Sequence, residues 1–323
     1  MTWSQIIKAH PEANFLQSPE WESTNQLLGV KTIIKTFPEH GHALMLVRNA
    51  KRGRYLEIPC GPLIDWHTPS LVNSVFQQII FVAKTNHCVF IRFRPQLLNT
   101  PKNLKILSKL DGKISPMHLS AEHTVMLNLS LSLDQLLSNM RRQTRYEIRR
   151  AKKQKITVET STSETSFREF HQVQLSTAKR QNFIPPNLKT LLAEHTAFKK
   201  NAIIYIAKQN NQPLAYGLIL ISGNEADYYE AASTPLNRKL PGAYALLWQA
   251  IKDLKQQGIK RFNLWGIAPP NQPHHRYAGV TIFKTGFGGK IIEYVPAHDI
   301  ILKPSRYLAN FVVETIRKKR RHL

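Results

Sequence analysis

Four segments in the first half of this chain find counterparts of the same type in the second half, all displaced by one common offset. His42–Asn49 falls on Leu214–Ile221, and Leu56–Ile64 on Tyr228–Leu236. The helical stretch Pro69–Asn86 falls on Pro241–Gly258, each opened by a proline, and Cys88–Pro95 falls on Lys260–Ile267. Strand, strand, helix and strand recurring in one order at one offset predict duplication of a single α/β unit. Residue identities in the paired segments match poorly, so two unrelated α/β domains are the alternative. A chain of 323 residues, 42% of them hydrophobic, is long enough to give each half its own core.

The first half opens with a turn and short helix over Asn14–Gly29, where Ser18-Pro19 supplies an N-cap and first helical residue. Val30–Thr36, His42–Asn49 and Tyr55–Ile58 alternate as antiparallel strands do, with a basic hairpin tip at Lys51-Arg52-Gly53-Arg54. Later, Phe167–Ala178 and Leu188–Phe198 read as helices flanking the loop Lys179-Arg180-Gln181-Asn182-Phe183-Ile184-Pro185-Pro186. The domains expected are residues 1–155, residues 156–303, and a basic C-terminal helix over 304–323.

The formal net charge is +24, from 45 Lys and Arg against 21 Asp and Glu. Such an excess implies a polyanionic partner: nucleic acid, an anionic membrane surface or a phosphorylated substrate. The charge concentrates between the halves. From Asn139 to Lys155 eight basic residues face one Glu147, within a helix expected over about 132–155. Arg141, Arg145, Arg149 and Lys153 recur four apart and predict one basic line along it, opposite the apolar Leu133, Leu136, Leu137, Met140, Ile148 and Ala151. That line is either a solvated linker or a phosphate-backbone track. The end of the chain pairs an amphipathic pattern (Leu308, Phe311, Val312, Ile316) with Arg317-Lys318-Lys319-Arg320-Arg321, either a membrane-surface contact or a solvated tail.

Only two cysteines occur, Cys60 and Cys88, so a disulfide framework is not expected and a reducing compartment fits. The first residues lack a signal-peptide core, and apolar runs such as Ile79–Ala83 and Ala202–Ala207 are too short to span a bilayer. These features predict a cytoplasmic protein, soluble or peripheral at the inner face of the plasma membrane. No His, Cys, Asp or Glu set has metal-ligand spacing, because His274 and His275 are adjacent and no third ligand is near. No GxSxG, Walker or GxGxxG motif is present, and neither a metal nor a cofactor is expected.

The stretch Ile259–Ile301 carries the most specific pattern. Arg261–Trp265 alternates as a strand, Pro269, Pro270 and Pro273 stop it, and Phe283-Lys284 precedes a glycine cluster (Gly286, Gly288, Gly289) and a second strand, Lys290–Val295. A lysine before glycines that admit close approach is placed to touch a ligand, although lysines beside glycine turns are more often solvated.

Taken together, LQSPEW near the start, IPCGPLID after the first hairpin, RYEIRRAKK, YYEAAST and LWGIAPP…HRYAGVTIFKTGFGG resemble, in order and over nearly the whole chain, the FemABX aminoacyltransferases of peptidoglycan bridge synthesis. The resemblance implies an α/β fold of two tandem acetyltransferase-like (GNAT) domains with mixed, mostly antiparallel sheets. It implies transfer of an amino acid from aminoacyl-tRNA to a stem-peptide amine of lipid II or a UDP-linked muropeptide. An acyl-CoA-dependent N-acyltransferase on the same fold, and a non-enzymatic RNA-binding protein, are the alternatives. The long coiled-coil arm of larger members is absent, so the chain is FemX-like.

Carried over by position, Phe283 and Lys284 match the family's Phe-Lys pair at the aminoacyl-tRNA 3′ end, where a lysine could stabilise the oxyanion. Arg238 and Gly242 precede the helix where acetyltransferases hold pyrophosphate. Gly61-Pro62 and Asp65 match a first-domain turn bordering the muropeptide cleft. Tyr228 keeps the first tyrosine of a family pair whose second is Glu230 here, the best sequence candidate for the base. Asn25 stands where the family has a substrate-phosphate lysine, Pro185-Pro186 near a nucleotide-binding arginine, and Arg94 in place of a carboxylate. These departures favour a lipid-linked acceptor. The tRNA is expected along Arg141, Arg145, Arg149 and Lys153 and on the C-terminal basic residues.

Overall fold

The structure, a computed structural model, describes residues 2–181, 183–272 and 275–320. In chain order its helices are α1 (Trp3–Ala9), α2 (Pro19–Leu27), α3 (Pro69–Thr85), α4 (Pro101–Ser108), α5 (Leu133–Asn139), α6 (Arg142–Lys153), α7 (Glu164–Gln181), α8 (Leu188–Phe198), α9 (Gly242–Gln256), α10 (Ala278–Thr285) and α11 (Pro304–Arg320). The strands are β1 (Lys31–Thr36), β2 (His42–Ala50), β3 (Gly53–Pro59), β4 (Phe90–Arg94), β5 (Lys113–Ile114), β6 (His123–Asn128) and β7 (Thr157–Ser161). They continue with β8 (Ala202–Gln209), β9 (Gln212–Ser222), β10 (Glu225–Ser233), β11 (Arg261–Gly266), β12 (Lys290–Glu293) and β13 (His298–Ile301).

The elements form two units, each around one mixed sheet. The first comprises residues 1–123, 268–276 and 292–323, and the second residues 124–267 and 277–291. The first sheet runs β1-β2-β3-β4-β13-β5, and the second β12-β6-β11-β10-β9-β8-β7. Read from β8, the second sheet repeats the first: three antiparallel strands, a parallel partner (β3–β4, β10–β11), then an antiparallel fifth strand. The common offset in the sequence thus corresponds to a repeated fold.

The fifth strands carry the difference from the expected domains. Strand β6 follows the first half in sequence yet pairs with β11, and β13 follows the second half yet pairs with β4. Each unit closes its sheet with a strand from the other stretch of chain. Residues 124–155 therefore belong to the second unit and 292–323 to the first, not to the domains 1–155 and 156–303 expected above.

The first core lies between the sheet and α3, whose Leu71, Val72, Val75, Phe76 and Ile79 meet Met45, Ile58, Ile91 and Phe93. In the second unit α9 covers one face through Leu246, Leu247, Ala250 and Ile251 against Tyr205, Ile219 and Phe262. Helices α7 and α8 are neighbours that contact β8, and α7 also contacts β10. Capping follows the sequence: Ser18 accepts from the Trp21 N–H with Pro19 at the first position of α2, and Asn187 accepts from the Thr190 N–H to start α8.

The expected basic helix over 132–155 is broken in two. Met140 leaves helical geometry (ψ 149°), and the Arg141 N–H donates to the Gly286 carbonyl at 2.9 Å. The Arg145 guanidinium turns back to the Ser138 and Met140 carbonyls at 3.1 and 2.5 Å, a cation at the carboxyl end of α5.

Candidate active site

Phe283 and Lys284 lie in the last turn of α10, just before the glycines that lead to β12, in the order expected. Phe283 and Phe287, four residues apart, pack on Tyr244 of α9 and on each other with ring centroids 5.0–6.0 Å apart. Phe283 is thus a packing residue that fixes the helix. The neighbouring glycines serve the same purpose. A Cβ at Gly288, whose φ is +79°, would lie 2.2 Å from the Asn139 carbonyl oxygen, and one at Gly286 would lie 2.4 Å from Thr144 Oγ1. Only glycine lets this turn meet the α5–α6 break.

With the helix so held, the Lys284 side chain is buried at 8% exposure. Its ammonium donates to the Gly266 carbonyl at 2.9 Å and lies 5.9 Å from the centroid of the Tyr228 ring. No carboxylate is paired with it among the described residues. Burial alone pushes the amine down to about 7. Tyr228 is buried too, which raises its phenol above the ordinary range. Gly217 makes room for that ring, since a Cβ there would lie 2.6 Å from Tyr228 Cε2.

The Gly266 carbonyl owes its direction to a β-bulge. Strand β11 shifts register against β6 between Asn263 and Gly266, and Trp265 adopts a φ of +62°. The bulge is held by Asn263 Oδ1, which accepts from the Trp265 N–H at 3.0 Å and from the Thr124 hydroxyl; that hydroxyl also reaches the Trp265 carbonyl. A second bulge shifts β10 against β9 between Tyr228 and Glu230. The parallel ladder of β10 and β11 runs for three pairs, Glu225↔Arg261 to Asp227↔Asn263, and ends where the two bulges begin.

The β10 bulge also decides what Glu230 can do. Tyr228 pairs with Ile219 and Glu230 with Leu218, so the two side chains stand on opposite faces of the sheet. Tyr228 faces α9 and Lys284. Glu230 faces α7, where it accepts from the Gln174 amide, and burial pushes its carboxyl up to about 7. Nearby Glu194 of α8 is 1% exposed, and burial together with the Glu230 charge raises its carboxyl far above the usual range. Among the described residues Glu194 Oε2, Gln174 Oε1 and His171 Nδ1 have no hydrogen-bond partner. Gln174, Glu194 and Asn263 carry no motif, and Gln174 and Asn263 meet Glu230 and Thr124 only across 56 and 139 residues of chain, so no signal for them is legible in the sequence.

The other expected residues are dispersed. Arg238 ends a short 3-10 turn and is exposed. Gly242 is buried at the start of α9, and the first free N–H of that helix, on Ala243, donates to Asn237 Oδ1 at 2.9 Å. The pyrophosphate cradle expected there is already engaged by a side chain. Arg141 reaches Thr285 Oγ1 at 3.0 Å and Arg145 closes α5, so of the expected line Arg149 and Lys153 are the two whose exposed side chains remain on α6.

In the first unit, Asn25 is buried and its amide donates to the Trp21 carbonyl at 2.8 Å. Gly61, joined to Pro62 by a cis peptide, packs against Gln17. Asp65 is exposed and accepts from the His67 N–H at 2.9 Å and the Thr68 hydroxyl at 2.6 Å, bonds that hold its carboxyl below the usual value. Arg94 is buried and donates to Ser120 Oγ and to Cys60 Sγ. Of the adjacent histidines, His274 lies outside the described residues, as do Asn182, Pro273 and Arg321. Among the described residues no group of three or more His, Cys, Asp or Glu could hold a metal, and no helix is long and apolar enough to cross a membrane.

A model of the FemAB family matches residues 2–114 and 186–315. The aminoacyltransferase FemA of Staphylococcus epidermidis is 34% identical over 86 residues, which are 27% of this chain and 21% of that protein. The chain thus matches about a fifth of the length of this curated relative. A crystal structure of FemX superposes with a TM-score of 0.84 at 16% identity, covering 96% of this chain and 97% of the other. A tandem GNAT protein from the clavulanic acid pathway follows at a TM-score of 0.56 and 9% identity, covering 93% of each chain. Both structures share the fold of two tandem GNAT-like halves.

Proposed function

The chain belongs to the FemAB family, and on that premise we propose that it is an aminoacyltransferase acting on a peptidoglycan precursor, with aminoacyl-tRNA as donor and lipid II as acceptor. The observation that carries the reading is Lys284: a buried cation with no carboxylate partner among the described residues, held by a backbone carbonyl and an aromatic face beside two strands that part. A fold gains nothing from such a charge, because burying an ammonium without a counter-ion is costly. A reaction that develops negative charge does gain from it.

In the proposed reaction the neutral acceptor amine attacks the carbonyl carbon of the aminoacyl ester. The C–N bond forms and the carbonyl electron pair moves to oxygen, where the Lys284 ammonium stabilises it. Collapse breaks the bond to the tRNA ribose oxygen, which leaves as the hydroxyl, and the amine loses its proton. Glu230, held by Gln174 on the α7 face of β10, stands across the sheet from Lys284, so the proton is proposed to pass from the amine by way of a substrate phosphate to the leaving ribose oxygen. Tyr228 positions the ammonium and Phe283 the helix that bears it. Arg149 and Lys153 of α6, with Arg141 at its start, are the proposed contacts to the tRNA backbone, and Arg238 an outer one. Asn25 bonds within α2, and Gly61 and Asp65 lie in a turn of the first unit, so any role of theirs in acceptor binding is through that local structure.

The test is transfer of radiolabelled amino acids from a pool of charged tRNA to purified lipid II, with and without ribonuclease. Label on lipid II that disappears with ribonuclease is the expected result and identifies the amino acid. Transfer from acyl-CoA thioesters instead, indifferent to ribonuclease, would overturn the donor assignment.

A further inference from the structure

Helix α11 is built inside out. Its buried side pairs one aromatic ring with polar bonds: Tyr307 and Asn310 are 6% and 4% exposed, and the Tyr307 ring packs on Phe90. The Tyr307 hydroxyl donates to Asp299 Oδ2 at 2.9 Å, Asn310 Oδ1 accepts from Arg52 Nε at 2.9 Å, and Glu314 Oε2 accepts from Arg92 Nη2 at 2.8 Å. Its outward side carries Leu308, Phe311, Val312 and Ile316, exposed by 61%, 38%, 48% and 45%. Those positions recur at three and four residues and form one stripe. A helix serving only to cover its sheet would place these residues inward. A contiguous apolar stripe left outside marks a surface for something else.

Charge selects the partner. From Pro304 to Leu323 the cations are Arg306, Arg317, Lys318, Lys319, Arg320 and Arg321, and the one carboxylate, Glu314, is bonded to Arg92. A second copy of the chain would bring the same cations against these in a self-complementary interface, which like charge opposes. An RNA backbone would meet the cations but leave the aliphatic stripe in water. We propose that α11 docks on an anionic lipid surface, with Leu308, Phe311, Val312 and Ile316 in the headgroup boundary and the basic end on lipid phosphates. Anchoring on the inner side by the Tyr307 ring and by bonds to Asp299, Arg52 and Arg92 then has a purpose: it holds the helix while leaving the aliphatic stripe outside. The docking does not depend on the proposed aminoacyl transfer, although together they would place the enzyme where a lipid-linked acceptor resides.

The experiment is co-sedimentation of the full chain with phosphatidylglycerol–phosphatidylcholine vesicles and with phosphatidylcholine vesicles, in the absence of any substrate. Binding to the anionic vesicles alone is expected, and Leu308→Glu with Val312→Glu is expected to weaken it at least about tenfold. Because both side chains are exposed, the thermal midpoint should not move. Should that variant misfold, Leu308→Trp supplies the second readout, an indole emission that shifts blue on anionic vesicles only. Four results would overturn the proposal: no binding by the unaltered chain, undiminished binding by the double variant, a dimer that the double variant dissociates, or loss of tRNA binding while vesicle binding persists.

Discussion

Two buried cations, one in each unit, are met in opposite ways. In the first, Arg92 of β4 is paired on both sides: its guanidinium meets both Asp299 oxygens at 2.8 Å and Glu314 at 2.8 Å. Asp299 sits directly across the ladder on β13, and the Tyr307 hydroxyl completes its shell. In the second unit the matching place between the fourth and fifth strands holds neutral groups, Asn263 on β11 and Thr124 on β6. The buried cation of that unit, Lys284, is met by a carbonyl and a ring. Arg92 is thus neutralised by carboxylates, whereas Lys284 has none among the described residues. The first arrangement serves stability, and the second is suited to chemistry.

Substitution of buried cations should separate the two. Arg92→Ala leaves Asp299 buried and unpaired and should lower the unfolding free energy by about 3–5 kcal/mol, read from urea denaturation. Lys284→Ala should slow amino acid transfer about 100-fold, the usual loss for one oxyanion donor. Lys284→Met, which fills the volume without a charge, should not lower the unfolding free energy at neutral pH, the reverse of Arg92→Ala.

The pH dependence sharpens the contrast. The amine of Lys284 is pushed down to about 7 in the folded chain against about 10.4 when unfolded, so the unfolded state binds more protons between those values. Its destabilising effect is complete below pH 7 and is relieved as pH rises through that window, and Lys284→Met should remove this upward slope. Transfer itself should fall as pH rises above 7, because Lys284 loses its proton. Glu230→Gln, on the opposite face of the sheet, should leave that limb in place. The smallest effect expected is from Glu194→Gln, which discharges a buried carboxyl and should change stability by about 1 kcal/mol or less in the stabilising direction.

The repeat was legible because helix and strand periodicities survive when identities do not. The exchange of β6 and β13 was not, since each pairs with a strand from the opposite half of the chain and nothing in its local pattern names the partner. Lys284 could be singled out from Phe-Lys and the glycines, but its surroundings could not. They depend on the Gly266 carbonyl turned by a bulge at Trp265, a tryptophan at positive φ that carries none of the glycine or asparagine signal of such a site. Glu230, the best sequence candidate for the base, is set by the bulge at Tyr228 on the sheet face opposite Tyr228. The basic line over Arg141–Lys153 assumed an unbroken helix, and the break at Met140 comes from a contact with Gly286 that lies far along the chain.

The central claim is that Lys284, a buried cation without a carboxylate partner among the described residues, is kept for the transition state. The most direct measurement is the single-turnover rate of transfer by Lys284→Ala, taken beside its unfolding free energy. A rate about 100-fold lower with stability unchanged or improved is the predicted result. A rate within about threefold of the unaltered chain, or a rate that falls only because the variant unfolds, would contradict it.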